Sequence, residues 1–474
     1  MMNILDVLEA LLGYRPDLPG KVISEAAIDS RQVIPGGLFC AMPGERVDGH
    51  DYLADAFRRK ADFALVQKDL SATFRQIDLR EGAAPNSISA LPDAPFCILV
   101  EDTLSALQKI AGFWRSRQNI RIVAITGSVG KSTTKELIAD VLNQRYITLK
   151  SKGNLNNEIG LPLTLLRLGD GYQRAVLEMG FYVPGEIAFL CDLAKPQVGV
   201  VTNIGTVHAE RAGSQEDIAR GKAELVQALP AAPLGTAILN YDDPYVRPMA
   251  EKTSARVVFY GLDPQADLWA DEIEGLGLQG IRFRLHHKNE SLTLRVPLIG
   301  EHSVHTALRA AAVGLVEGLS WSEIVAGLQS GHSQLRLVVA HSKEGAMILD
   351  DTYNASPEST LAALNLLDQM DGRKIAVLGD MLELGQYERP GHEMVGVRAA
   401  QFAALIVLVG PRSKITADAA VRSGYSPNAI QWFEEAPQVV PYLEGVIRKG
   451  DVLLVKGSRG LQMERIVHAL EVDE

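Results

Sequence analysis

The chain has 474 residues, more than one hydrophobic core usually organises, so two to four domains are expected and three is the working number. Its formal net charge of -11, with 47% hydrophobic and 22% charged residues, excludes wholesale disorder and makes nucleic acid an unexpected partner, so any anionic ligand has to be held by local cations and backbone N–H groups. Cys40, Cys97 and Cys191 are too scattered for a disulfide framework or metal cluster; Met1 to Gly13 lacks a basic start before a long apolar run, and no stretch approaches the ~20 apolar residues of a membrane span, so a cytoplasmic protein without membrane insertion is expected.

In chain order, Ala83 to Phe96 holds Pro85, Pro92 and Pro95 among small residues and reads as a loop near a first boundary. A helix is predicted over Leu104 to Trp114, then a strand over Arg121 to Thr126 that turns through glycines into a helix over Thr134 to Leu142. Short apolar runs at Ala175–Leu177, Val198–Val201 and Ala237–Leu239 alternate with helix-compatible sequence, the pattern of a mostly parallel sheet covered by helices. After His332 a second series begins, with strands near Leu337–Ala340, Ala346–Leu349, Ile375–Leu378, Leu405–Val409 and Val452–Val455, predicting a separate doubly wound domain. The fold class is α/β in three domains, bounded at 1–102, 103–331 and 332–474, with a central sheet of the phosphate-loop ATPase type and a C-terminal domain of Rossmann-like character.

Thr126 to Thr133 reads T-G-S-V-G-K-S-T directly after an apolar strand. Glycines let backbone N–H groups converge on phosphate oxygens, Lys131 can bridge terminal phosphates, the Ser132 hydroxyl can ligate Mg²⁺, and the helix N-terminus adds a positive field. Thr126, Gly127, Ser128, Val129, Gly130, Lys131, Ser132 and Thr133 are therefore the expected ATP-binding residues. Gly127 and Gly130 are separated by two residues where the general phosphate loop has four before its Gly-Lys pair. That shortened loop resembles the one shared by Mur ligases and folylpolyglutamate synthases.

Ala175 to Gly180 reads A-V-L-E-M-G, which places Glu178 at the end of a buried strand, where a carboxylate is expensive unless paired or bound to a cation such as Mg²⁺. Asn203 and His208 lie just past another strand, at the sheet edge where α/β proteins bind ligands. On the residues alone, His208 reads as structural and Lys222, in R-G-K-A-E-L, as a surface helix lysine. Resemblance to the Mur ligases implies more: His208 beside a second Mg²⁺, and Lys222 converted to a carbamate, an anion that can sit near metal where an ammonium would repel it. The implied catalytic set is Lys131, Lys222, His208 and Glu178, with Ser132, Glu178, His208 and Lys222 around two Mg²⁺ ions.

Within that family the chain resembles the member that adds D-alanyl-D-alanine to a UDP-N-acetylmuramoyl-tripeptide. G-N-L-N-N-E-I-G-L-P from Gly153 matches its asparagine-rich block, which implies that Asn154, Asn156, Asn157 and Glu158 lie near the UDP-linked substrate; on composition alone the block is a helix-capping loop. Asp29-Ser30-Arg31 resembles the UDP-binding domain, implying Ser30 and Arg31 as contacts, with Arg31 suited to pyrophosphate. D-D-T-Y-N-A from Asp350 resembles the dipeptide-adding member, implying Asp351 on a ribose and Tyr353 and Asn354 on the dipeptide; members that add lysine or diaminopimelate carry D-N-P-R, absent here. Lys456, Ser458 and Arg459 in K-G-S-R would meet the dipeptide carboxylate, and Arg336 would lie near the nucleotide phosphates. G-E-H-S-V-H-T-A from Gly300 departs from the family's G-x-H-N-V-x-N-A at Ser303 and Thr306, leaving His302 as the adenine-side residue. The block G-D-M-L-E-L-G from Gly379, with His392, matches the same member without suggesting a chemical role.

These readings imply a monomeric, ADP-forming ligase. A phosphate-loop switch or transport ATPase would share the loop but would need neither the N-terminal D-S-R region nor an amine site. A Mur ligase adding a single amino acid, or a folylpolyglutamate synthase, would lack the asparagine-rich and D-D-T-Y-N-A blocks.

Overall fold

A computed structural model of the chain describes residues 1–44, 47–81, 88–206, 209–330 and 338–472. They form two compact units, one of residues 1–124, 146–180 and 186–197, the other of 125–145, 181–185 and 198–474. Among the described residues no helix is long and apolar enough to cross a membrane.

The first unit opens on helix Ile4–Leu12, fixed by reciprocal capping between Asn3 and Asp6 and ended by Gly13 in the left-handed conformation at φ 81°. A five-stranded parallel sheet follows, in the order Ala26–Ala27, Leu38–Cys40, Phe63–Val66, Phe96–Leu99, Gln76–Asp78. Phe39, Ala64, Val66, Cys97 and Leu99 pack into one apolar cluster, and their neighbours Leu38, Phe63, Leu65, Phe96 and Ile98 are buried as well, so the three inner strands are buried runs rather than alternating ones. Phe96, at the end of the expected proline loop, already belongs to a strand. Helix Thr103–Ser116, capped by Asp102, contains the predicted one, and strands Thr148–Lys150 and Arg174–Glu178 pair in parallel.

In the second unit, strands Val198–Val201, Thr236–Asn240, Arg256–Gly261 and Leu268–Gly275 pair in parallel sequence. The sheet then turns antiparallel through Ile281–His287 and Glu290–Val296. This meander was not among the predicted strands, although Ile281, Phe283 and Leu285 are buried at alternate positions as one solvated face requires. The second sheet of this unit has six strands in the order Val338–His341, Met347–Asp351, Val452–Lys456, Lys374–Gly379, Leu405–Val409, Ile430–Phe433. Only its first pair is antiparallel. Ala376, Leu378, Ile406 and Leu408 pack into one core, and Ile375, Val377, Leu405 and Val407 into another. The period of two thus buries both faces, the signature of a doubly wound sheet.

Candidate functional site

Strand Arg121–Thr126 leads through Gly127 to helix Lys131–Leu142, which begins three residues earlier than predicted because Gly130, left-handed at φ 81°, serves as its N-cap. Gly127 is required twice over: its φ is 145°, and a Cβ there would fall 1.8 Å from Thr202 Oγ1. The segment after strand Val198–Val201 braces the loop. Ser128 N–H donates to the Asn203 carbonyl at 2.9 Å, Val129 N–H to Asn203 Oδ1 at 2.8 Å, and Thr202 Oγ1 to the Val129 carbonyl at 2.7 Å. Asn203 therefore positions the loop backbone.

Two lysines converge on one carbonyl. Lys131 Nζ donates to Gly127 O at 2.8 Å and Ser128 O at 3.2 Å, and Lys222 Nζ donates to Gly127 O at 3.1 Å. Lys222 lies on helix Gln215–Gln227, whose start is fixed by reciprocal capping between Ser214 and Asp217. It is 1% exposed, with its ammonium 4.6 Å from the centre of the Phe181 ring. The reading of Lys222 as a surface lysine is thereby corrected: the helix turns this residue inward toward the phosphate loop. Gly221 admits Phe181, since a Cβ there would sit 2.1 Å from its ring.

A cavity of about 430 Å³ joins Gly130, Lys131 and Ser132 to Asp351, Tyr353 and Lys456. Val129, Thr133, His302 and Asn354 also line it. Lys456, 2% exposed, reaches Asp351 Oδ2 at 2.7 Å and the Asn354 carbonyl at 2.8 Å, so the D-D-T-Y-N-A turn is tied to the end of strand Val452–Lys456. Ser458 is buried: its Oγ accepts from Leu382 N–H at 2.8 Å, so holding the G-D-M-L-E-L-G segment, and donates to the Ala355 carbonyl at 3.5 Å. Arg459 is exposed, its guanidinium carbon 5.8 Å from the Tyr353 ring centre. His302 stands at the exposed start of the wall that continues into helix Val304–Val316.

His305 and Asn240, also in the wall, carry no signal in the sequence. His305 Nε2 meets Asp242 Oδ2 at 2.7 Å. Burial pushes the Asp242 carboxyl up, but His305 and the Leu262 and Asp263 N–H groups outweigh it and leave the pKa lowered. Asn240 Nδ2 donates to the Thr202 carbonyl at 3.1 Å. Ser303 Oγ, at a position where the family pattern has asparagine, donates back to Ile299 O at 2.7 Å. The His305–Asp242 and Asn240–Thr202 contacts span 63 and 38 positions, so no local pattern marks them.

In the first unit, Glu178 is 1% exposed at the end of its strand and accepts from Asn156 Nδ2 at 2.9 Å. Asn156 is thus brought to the carboxylate 22 residues away. Asn157 instead accepts from Gly160 N–H at 2.9 Å and Ile159 N–H at 3.3 Å, as a helix-capping asparagine does. Asn154 and Glu158 are exposed, the Glu158 carbonyl accepting from Gln108 Nε2 at 3.0 Å. A second cavity, about 660 Å³, is lined by Asp29, Ser30, Arg31, Tyr52 and Arg58. Ser30 Oγ donates to Asp55 Oδ2 at 2.8 Å, and the Arg31 fork folds onto its neighbour Asp29 at 2.8 to 3.2 Å. His208 and Arg336 lie outside the described residues. Among the described residues no group of three or more His, Cys, Asp or Glu side chains forms a metal cluster.

Three family profiles match the chain: "Mur ligase family, catalytic domain" over residues 22–93, "Mur ligase middle domain" over 125–314, and "Mur ligase, glutamate ligase domain" over 335–459. The UDP-N-acetylmuramoyl-tripeptide--D-alanyl-D-alanine ligase of Mycobacterium tuberculosis is 34% identical over 96% of this chain and 93% of its own length. The crystal structure of MurF from Acinetobacter baumannii superposes with a TM-score of 0.81 at 31% identity, covering 98% of this chain and 97% of that one. The MurF ligase of Thermotoga maritima in complex with ADP gives a TM-score of 0.76 at 26% identity, covering 94% of this chain and 96% of that one. Motif order, domain content and near full-length similarity agree, and the chain belongs to the Mur ligase family.

Proposed function

We propose that this chain joins D-alanyl-D-alanine to the terminal carboxyl of a UDP-N-acetylmuramoyl-tripeptide, consuming ATP, releasing ADP and phosphate, and supplying the pentapeptide of peptidoglycan synthesis. The observation that carries this reading is one cavity lined by both the phosphate loop and the Asp351–Asn354 turn with Lys456. It offers anion-binding backbone beside hydrogen-bonding groups suited to a small polar peptide. The identity of the relatives above, over nearly their whole length, fits the same activity.

A carboxylate is a poor electrophile. Transfer of the γ-phosphoryl group to it makes an acyl phosphate, which the dipeptide amine attacks, expelling phosphate. In this scheme Lys131 exchanges its bonds to the Gly127 and Ser128 carbonyls for terminal phosphate oxygens, while Asn203 and Thr202 brace the loop so that the N–H groups at the start of helix Lys131–Leu142 face the phosphate chain. Tyr353, Asn354 and Lys456 hold the dipeptide with Arg459 at the rim and Ser458 supporting the turn through the Ala355 carbonyl, His302 and Asp351 face the nucleoside, and Arg336 meets phosphate. In the first unit, Ser30, Arg31, Asn154, Asn156, Asn157 and Glu158 serve the UDP-linked substrate.

Hard oxygen donors suit Mg²⁺; the Ser132 hydroxyl has that chemistry for one ion and the buried Glu178 carboxylate for another. Bound Mg²⁺ would offset charge on the transferring phosphoryl group, with His208 as a further ligand. Lys222, sequestered beside the loop, is the residue suited to carbamate formation: its neutral amine takes up CO₂ and releases a proton, replacing a buried cation with an anion. The protein acts as a cytoplasmic monomer in domains bounded at 1–102, 103–331 and 332–474.

The test is ADP release with each substrate omitted in turn. Release that requires both the UDP-muramoyl tripeptide and D-alanyl-D-alanine supports the proposal. ATP hydrolysis indifferent to both, or equal product with a single amino acid in place of the dipeptide, overturns it.

A further inference from the structure

Arg309 sits in the middle of helix Val304–Val316, among alanines and valines, where a charged side chain is out of place. It is 4% exposed and lines the same cavity as the phosphate loop. Its neighbours only partly satisfy it. Nη2 donates to Thr306 Oγ1 at 2.7 Å and Nη1 to the Tyr260 hydroxyl at 3.3 Å, while Nε is buried with no hydrogen-bond partner. Tyr260 remains a neutral acceptor, because burial pushes its pKa up to about 12 and its own hydroxyl donates toward the Thr202 and Val201 carbonyls at 3.0 and 3.2 Å. Both partners of this buried guanidinium are therefore uncharged oxygens. A cation held so far from water is expensive unless an anion compensates it.

The position of the fork identifies the anion. A Cβ built on Gly130 would lie 3.3 Å from Arg309 Nη2, so the guanidinium stands against the N-cap of helix Lys131–Leu142, the positive end of that helix. Two positive features flanking one cavity repel each other until something negative lies between them, and a guanidinium fork matches phosphate oxygens. We propose that Arg309 is a nucleotide-binding residue whose guanidinium contacts the phosphate chain in the cavity shared with the phosphate loop. The assignment rests on the reading of that cavity as the ATP site. It also gives a reason for one departure from the family pattern: threonine at 306, where the pattern has asparagine, supplies the acceptor that aims Arg309.

The test is calorimetric titration of ADP, and separately of adenosine, into the full chain and its Arg309→Gln and Arg309→Lys variants without other substrates. Arg309→Gln is expected to bind ADP roughly ten- to hundredfold more weakly, the range of a charge-assisted hydrogen bond, with adenosine binding unchanged. Arg309→Lys, which keeps the charge but not the fork, is expected to fall between. Thr306→Val should weaken ADP binding by a smaller factor. Wild-type affinity for ADP in Arg309→Gln overturns the assignment, as does an equal loss for ADP and adenosine. If Arg309→Gln does not fold, Arg309→Lys decides, and unchanged ADP affinity in it overturns the assignment. A wild-type chain that binds no ADP at all is a different result, since it removes the ATP-site reading itself.

Discussion

The Lys222 ammonium donates to the Gly127 carbonyl at 3.1 Å, across 95 residues of sequence, so the residue proposed for carbamate chemistry is anchored on the phosphate loop. Lys222→Ala is expected to lower ligase turnover by roughly a hundredfold or more, the scale of losing one preorganised charge in an active site. Lys222→Arg should be equally poor, because a guanidinium keeps the cation and does not form the carbamate. Partial recovery of Lys222→Ala by added short carboxylates is the specific signature. Full turnover in Lys222→Ala would show that the buried lysine is structural.

Gly127→Ala tests the loop's geometry. A methyl group 1.8 Å from Thr202 Oγ1 forces a shift of either the loop or the strand end that braces it. We expect a destabilisation of about 1–3 kcal/mol, as for overpacked cores, together with loss of ADP binding. Adding Thr202→Ala should recover only part of this, because a φ of 145° still disfavours any side chain at 127. Urea denaturation and ADP titration on the single and double variants check both parts, and a fully restored double variant would refute the backbone component.

The Lys456–Asp351 pair gives a third prediction. Lys456 is 2% exposed and its partner contact is 2.7 Å, so removing one member leaves the other charge stranded. Lys456→Met or Asp351→Asn alone should destabilise the chain by up to about 3–5 kcal/mol, less in proportion to the 18% exposure of the Asp351 side chain. The double variant should lose clearly less than the sum of the two. A double-mutant cycle by denaturant unfolding measures the coupling, and strict additivity would mean that the two charges do not stabilise one another.

Local patterns carried most of what the sequence revealed. The strand–glycine–helix run around Gly127 and the buried strands at Ile375–Leu378, Leu405–Val409 and Val452–Val455 were legible because each is set by neighbours within a few residues. Long-range pairings were not. Nothing near Asn156 indicates that its amide, rather than that of Asn157, reaches Glu178. Lys222 has the composition of a surface helix, and only the Phe181 ring and the Gly127 carbonyl reveal that this face is inside. Arg309 was missed for the opposite reason: its helix reads as apolar core, and the meaning of one arginine there depends on Gly130, which lies far away in sequence.

His392 shows what the unassigned G-D-M-L-E-L-G block does. Its Nδ1 meets the Glu388 carbonyl at 2.8 Å, and its Nε2 accepts from Met381 N–H at 3.1 Å, so the ring must be neutral to hold both bonds. Burial lowers its pKa; the Glu388 carbonyl and the Asp380 and Glu388 carboxylates raise it less than burial lowers it, and Arg412 adds to the lowering. The folded value therefore lies below the unfolded value of about 6.5. Between those two values the unfolded chain takes up a proton that the folded chain does not. The contribution of His392 is thus fully present above about pH 6.5 and is lost as pH falls through the folded pKa. His392→Gln, whose amide can donate to Glu388 O and accept from Met381 N–H without titrating, should show a shallower fall in urea midpoint below about pH 6.5 than the wild-type chain. Parallel pH profiles for the two proteins would show that other groups govern acid stability and that His392 is a packing residue alone.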